Sequence, residues 1–390
     1  MVGMLVTPFF VFNQLGGTAR TSGLFGSVQA VVYAAVCLAS TRYVARATNG
    51  LNWALTGILL YAVLFCLMPL FSDWRVCLLV SSVASGALAL VWPALHSWVG
   101  AEADPAVRSR TMGWFNISWS FGFCLSPLVA GPLYDVIYWY PFVLLGALAA
   151  LAWGIVWSLP HESSHFAEPT EELLMARAKH DQASEAFLYC GWFATFVANL
   201  IAGAFRFVYP KRIEELVAAG ELRLFLNGPT PEFLSAAPAT AFSVLAFTFS
   251  LCTAITFLVL GGTSAWQHKF GLMVAAQAAA ALGLHVLGRT DSLLVMILCC
   301  VIGGANLGLG FFAATYYSLA SARKKHGRLA VNEAAVGFGG FVGSLAFGFL
   351  AERYGISAPF VYSPLIVVVA IVVQYVLLRR GWRAVKQRSA

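Results

Sequence analysis

The sequence predicts an all-α membrane protein in which twelve transmembrane helices form two pseudo-symmetric six-helix bundles. Three observations carry that prediction. First, 60% of the 390 residues are apolar or aromatic and only 11% are charged, whereas a soluble domain carries roughly a quarter charged residues. So few charges cannot clothe a globule of this size in water. Second, the apolar residues fall in runs near 20 long, the length that crosses a ~30 Å hydrocarbon core. Third, the two halves of the chain resemble one another at a fixed offset. A soluble enzyme, a nucleic-acid-binding module and a secreted disulfide scaffold are excluded, because no segment between the runs is long enough to fold around its own core.

Taken in order, the spans cover 1–17, 22–41, 51–71, 76–99, 111–134 and 137–159, then 186–208, 242–262, 268–287, 292–319, 329–351 and 356–378. Residues 1–160 form an N-terminal six-helix bundle. A polar stretch rich in Glu, Ala and Lys, 161–185, links it to a C-terminal bundle, 186–378, and a basic tail, 379–390, follows. A second polar insert, Tyr209 to Ala241, comes after span 7 and contains three prolines beyond Pro210. Span 1 has only 15 residues before Gly16-Gly17. That reaches roughly 23 Å at 1.5 Å per residue, so either the bilayer thins there or the chain starts upstream. No positive residue precedes this run and no small-residue cleavage site follows it, which argues against a signal peptide.

The formal charge of +7 comes from 24 Lys and Arg against 17 Asp and Glu, and the basic residues sit at span ends as topology signals. Sixteen lie on the side shared by the linker and the C-terminus and eight on the other. Both termini are therefore read as cytoplasmic, in what is taken to be a bacterial inner membrane. The eight cysteines lie inside apolar runs with no CxxC pair and read as small buried hydrophobes, neither disulfides nor metal ligands.

Sliding the chain by 217 places brings Arg108–Asp135 over Lys325–Glu352. Phe121, Gly122, Leu128, Gly131 and Leu133 then meet Phe338, Gly339, Leu345, Gly348 and Leu350. Both segments are fifth in their half and follow a basic loop. Span 5 contains Gly122-Phe-Cys-Leu-Ser126-Pro127-Leu-Val-Ala130-Gly131-Pro132. Small residues let helix backbones approach closely, and proline allows a bend. This stretch resembles the glycine/proline motif GxxxGPxxGG of the antiporters of the major facilitator superfamily, with Ser126 and Ala130 in place of two glycines. A parallel repeat of two six-helix halves is also that family's layout. The loop between spans 2 and 3, Ser40 to Gly50, departs from the family's G-x-x-x-D-R-x-G-R-like signature. Arg46 corresponds to its arginine, but its aspartate falls at Ala45.

No cofactor is expected. The chain has no Walker A sequence and no HExxH, and Gly337-Phe-Gly339-Gly340-Phe-Val-Gly343 lacks the spacing and the preceding strand of a dinucleotide loop, so it reads as helix packing. Polar side chains within spans are costly against lipid and normally face a cavity or a partner. The candidates for a substrate cavity are Asn13, Gln14, Tyr33, Asn116, Asn199, Arg206, Asn306 and Tyr317. Phe196, Asn199, Gly203 and Arg206 recur at helical spacing on span 7, as do Asn306, Gly310, Ala313 and Tyr317 on span 10. Asn199 and Asn306 equally suit bonds between neighbouring helices, and Arg206 equally suits a snorkelling anchor. Glu333, on one face with Gly337, Gly340 and Ser344, is a proton-coupling candidate, a charge favourable to the helix dipole, or a gate partner for Arg110. His96 is the second proton candidate.

The family resemblance implies a secondary transporter with no enzymatic activity. Its expected partners are a small organic molecule, protons and the lipid bilayer, without nucleic acid, and it is read as a monomer. Proton-coupled efflux is favoured by the span-5 motif. A nutrient uniporter or symporter of the same fold is one alternative, and a transport-dead membrane scaffold or receptor is another.

Overall fold

A computed structural model describes residues 2–44, 51–100, 105–159, 171–225, 236–319 and 325–389. The signature-like loop at 45–50, much of the linker and the centre of the second insert lie outside the described residues. The helices are α1 (Val2–Asn13), α2 (Ala19–Val44), α3 (Leu51–Leu67), α4 (Trp74–Gly100), α5 (Pro105–Val136), α6 (Tyr140–Ser158) and α7 (Glu171–Phe207). They continue with α8 (Tyr209–Ala218), α9 (Pro238–Gly261), α10 (Phe270–Leu287), α11 (Leu293–Leu319), α12 (Lys325–Tyr354) and α13 (Ala358–Ser389). All twelve expected spans are helical. Ten helices are long and apolar enough to cross a membrane among the described residues. The outward surface carries exposed Leu59, Leu79, Leu151, Ile155, Leu258, Leu365 and Val369, an apolar wall suited to lipid.

Helix ends follow local chemistry. The first apolar run continues to Gly17, but α1 stops at Asn13 because Gly16 takes a positive φ of 61°, a conformation glycine adopts without strain. Pro238 opens α9 and Pro210 is the second residue of α8, where the missing N–H of proline has no helical partner to lose.

The N-terminal half holds α1–α6 and the C-terminal half α7 with α9–α13. Within the C-terminal half α7 packs on α11, α12 and α13. The halves meet along two seams, α2 against α12 and α5 against α9, and the α2/α12 contact is the most extensive in the molecule. The end bearing both termini is called the termini side, and the end bearing the α1–α2 and α5–α6 turns the distal side.

One element was absent from the sequence expectation. Within the polar insert, α8 buries Tyr209, Pro210, Ile213 and Leu216 on the distal side. It packs on α7 and α9 and reaches α1 of the other half. Tyr209 donates its hydroxyl hydrogen to the Leu287 carbonyl at 3.1 Å, and the Lys211 ammonium stands 5.1 Å from the Phe12 ring centre. The chain after α8 is tied to the C-terminal half by an Arg223–Asp291 ion pair at 3.6 Å and a bridge from Arg223 to Ser292.

Candidate functional site

Three groups of residues lie between the halves. The first is the α2/α12 seam. Helix α12 is small-residue on two faces. Gly337, Gly340 and Gly348 meet Ala30, Ala34, Ala19 and Gly23 of α2, while Gly339 and Gly343 meet Phe196, Asn199 and Leu200 of α7. The glycine run therefore serves close helix packing. One hydroxyl crosses the same seam, Ser27 Oγ donating to the Phe341 carbonyl at 3.1 Å, and another ties α2 to the end of α7, Ser22 Oγ donating to the Phe207 carbonyl. Toward the termini side, the Glu333 face turns onto α2, where Tyr33 and Cys37 are its electrostatic neighbours. Glu333 makes no hydrogen bond or ion pair with any described residue. The structure thus brings Tyr33 and Glu333 together from opposite halves, and adds Cys37, which sequence reasoning had set aside as a buried hydrophobe.

The second group is the α5/α9 seam. Asp135 at the distal end of α5 caps the start of α9. Its Oδ2 accepts from the Thr240 N–H at 2.7 Å and from Thr240 Oγ1 at 2.6 Å, and its Oδ1 accepts from the Ala239 N–H at 3.3 Å. Gly131 lies against Ala239 and Ser243 of α9. Of the span-5 motif, Gly131 serves close approach, Pro127 is buried, and Ser126 Oγ is buried without a partner. Gly122 departs from the packing expectation. It is exposed and an added side chain there would meet nothing. Toward the termini side the seam is held by Trp119 against Phe257, with ring centres 5.8 Å apart.

The third group is a small cavity on the axis between the halves, lined by Leu5, Phe205, Arg206, Phe242, Ala246, Phe249 and Ser250. Helical side chains lean toward their helix N-terminus, which for α7 carries Arg206 away from the distal surface and toward the middle of the membrane. Ser250 lies 12 residues into the 24-residue α9, about 18 Å along it.

The other candidates sit elsewhere. Asn13 and Gln14 are exposed at the distal rim, their side chains beside the buried Tyr134 hydroxyl. Asn199 is buried, donates to the Thr195 carbonyl at 2.9 Å and faces Gly339 of α12. Its neighbourhood is thus the packed interior of the C-terminal half. The α11 face of Asn306, Gly310 and Tyr317 packs on α7 through Gly310 against Ala194 and Ala198, and Asn306 Nδ2 is buried without a partner. Tyr317 accepts from the His268 N–H at 3.0 Å within an aromatic knot of Phe187, Trp266 and Tyr316. His96 and Asn116 fall on α4 and α5, and Arg110 on α5, but their side chains are outside the described residues.

Sequence reasoning missed the Asp135–Thr240 clasp, because its partners lie 105 residues apart and only the fold joins them. The 217-place offset did pair Asp135 with Glu352, and the structure finds the two acids in corresponding places. Glu352 stands 3.9 Å from Arg20 at the start of α2, as Asp135 stands at the start of α9.

Comparison with known proteins agrees with this geometry. The family model described as Major Facilitator Superfamily matches residues 1–216, more than half of the chain. No curated protein matches in sequence. Among solved structures, the nucleoside transporter NupG superposes with a TM-score of 0.71 at 12% identity, covering 96% of each chain. A bacterial homolog of the human lysosomal transporter Spinster, inward-facing and unoccupied, gives 0.67 at 14% identity over 99% of this chain and 94% of that one. A POT family transporter in complex with a thioalcohol-conjugated peptide gives 0.67 at 16% identity, covering 97% and 93%. Identities this low speak for the shared fold.

Proposed function

The chain belongs to the Major Facilitator Superfamily, and from that premise we propose that it is a proton-coupled secondary transporter moving a small organic molecule by alternating access, with export as the favoured direction. The termini side is the cytoplasm and the distal side the exterior, in keeping with the positive charges at span ends. The observation that carries the reading is that Glu333 of one half faces Tyr33 and Cys37 of the other across a seam whose parting changes what surrounds the carboxylate. A carboxylate closed in against apolar neighbours favours the protonated form, and one opened to water favours the charged form. A group alternating between those settings takes up and releases a proton once per cycle. The family resemblance of span 5 to antiporter sequences supports export over uptake.

The test uses purified full-length protein in proteoliposomes and the compound that most raises its unfolding temperature in a screen of metabolite and drug classes. Addition of that compound is expected to drive proton flux. Glu333→Gln should keep binding and lose at least about ten-fold in transport driven by the pH gradient. Unchanged proton-driven transport by that variant would reduce Glu333 to a helix-end charge and move the role to His96. No flux with any stabilising compound would assign the chain to the scaffold class. Orientation has its own test: in a cysteine-free background, single cysteines at Ser164 and Ser321 should escape an impermeant maleimide in intact cells, while one at Asn227 should react.

A further inference from the structure

Arg206 is the one basic side chain lining the cavity between the halves, and no acidic side chain lines it. It makes no hydrogen bond, ion pair or ring-stacking contact with any described residue. Three other cations near the seams are paired, whereas Arg212 of α8 also keeps a buried donor, Nε, without a partner. Arg20 has Glu352 and the Phe349 ring, Lys211 has Glu214 and the Phe12 ring, and Arg328 has Glu185 at 2.7 Å. A cation in the last turn of a helix does suit the carbonyls there. That accounts for a guanidinium held at the helix end. It does not account for one sharing a cavity with Leu5 of α1 and Ser250 at the middle of α9. A guanidinium retained at membrane depth with its donors unused is costly unless an anion arrives to accept them.

We infer that the transported molecule is an organic anion, a carboxylate on an apolar or aromatic body, whose charged end is received by Arg206 between α1, α7 and α9. The inference rests on the transporter reading above and names the substrate class for it. Arginine's planar fork matches a carboxylate with two parallel hydrogen bonds. The Ser250 hydroxyl adds a donor, and Leu5, Phe205, Phe242 and Phe249 give the apolar surround. Apolar walls with few, well-placed polar groups suit an organic body over a bare inorganic ion. With both seams in contact at their distal ends, the distal-closed arrangement, the cavity offers about 20 Å³ of water-accessible space, room for about one water-sized group. The whole ligand therefore enters as the halves part, and the carboxylate is the part that reaches Arg206.

The experiment measures binding to full-length protein in detergent by tryptophan fluorescence and thermal unfolding. The probes are phenylacetate and cinnamate, their amides, phenethylamine, and inorganic phosphate. Wild type should bind the carboxylates at least ten-fold more tightly than the amides and should ignore phosphate. Arg206→Gln should bring that ratio near one, and Arg206→Lys should keep part of it. Should Arg206→Gln fail to fold, Ala246→Leu, which fills the cavity and leaves the arginine in place, should cut carboxylate binding by a similar factor. A wild-type preference of one or less, or a preference that survives both Arg206→Gln and Ala246→Leu, overturns the inference. Equal competition by phosphate overturns the organic body. Proteoliposomes that move phenethylamine or an amide while binding no carboxylate overturn the anion and leave the transporter standing. Carboxylate binding through Arg206 with no flux of any probe upholds the anion site and overturns transport.

Discussion

The two seams that join the halves are related by the internal repeat, yet they are built differently. Along α2/α12 the contact runs from Ala19 and Gly348 at the distal end to Ala34 and Gly337 deep in the bundle, with glycine or alanine on both sides. Its distal acid, Glu352, pairs with Arg20 at 3.9 Å, and both side chains are about half exposed. Along α5/α9, the glycine in close approach among the described residues is Gly131 near the distal end, where Asp135 takes three hydrogen bonds from Ala239 and Thr240, while large rings meet toward the termini side. One seam is a long, nearly featureless surface that can part without breaking many polar bonds. The other is a polar clasp at one end of an aromatic contact. The difference teaches where closure energy resides: in backbone proximity on the first seam and in directed hydrogen bonds on the second.

The largest effect should come from breaking the backbone proximity. A side chain at Gly23 would meet the Ser344 carbonyl oxygen and the Gly348 Cα, and neither can move without shifting a helix. Overpacking of this kind costs roughly 1–3 kcal/mol, enough to shift a two-state equilibrium between about 5- and 150-fold. Gly23→Val should therefore depopulate the distal-closed state, seen as a longer distance between spin labels at Thr18 and Tyr354. Gly122→Val on α5 is the control. Nothing stands near Gly122, so the distance should stay as in wild type. An equal effect of both variants would show that general helix perturbation, and not the seam, sets closure.

A smaller effect is expected from the polar clasp. Removing the cap by Asp135→Ala leaves the first N–H groups of α9 without an acceptor, a loss of about 1 kcal/mol for a helix cap and thus about a five-fold shift toward the distal-open state. Thr240→Val removes only the hydroxyl partner and should move the equilibrium less. Spin labels at Val136 and Ala236 report it. If Asp135→Ala exceeds Gly23→Val, the ranking of the two seams is reversed.

Much of this was legible before any coordinates. Most spans announce themselves by length and hydropathy because lipid requires it, ten of the described helices meeting both conditions, and the offset that pairs Gly131 with Gly348 and Asp135 with Glu352 lies in the letters. The face Glu333, Gly337, Gly340 and Ser344 could be read from helical spacing, though not the helix it would meet. Helix α8 escaped because its polar composition hid a short apolar stripe at Tyr209, Ile213 and Leu216, whose three- and four-residue spacing was the available signal. The neighbours of Arg206 were illegible for a deeper reason. Leu5 comes from α1 and Phe242 and Ser250 from α9, both remote from α7 in sequence, and only packing of the two halves makes them walls of one cavity.

The smallest effect should belong to Arg20 and Glu352, and it sharpens the comparison most directly because Glu352 is the repeat partner of Asp135. Their separation of 3.9 Å, with side chains 50% and 41% exposed, is that of a solvent-screened pair, and such pairs contribute about 0–1 kcal/mol. Arg20 also lies over the Phe349 ring at 4.3 Å, so it stays placed when the carboxylate is neutralised. Glu352→Gln should thus shift the Thr18–Tyr354 distance distribution by no more than about two-fold in population, and about 0.5 M salt should erase even that, since screening shortens the reach of exposed charges. The Asp135→Ala effect should survive the same salt, because backbone N–H groups lose their acceptor whatever the ionic strength. Were Glu352→Gln to match Asp135→Ala and persist in salt, the two distal acids would be equivalent clasps, and the asymmetry between the seams would lie in the glycines alone.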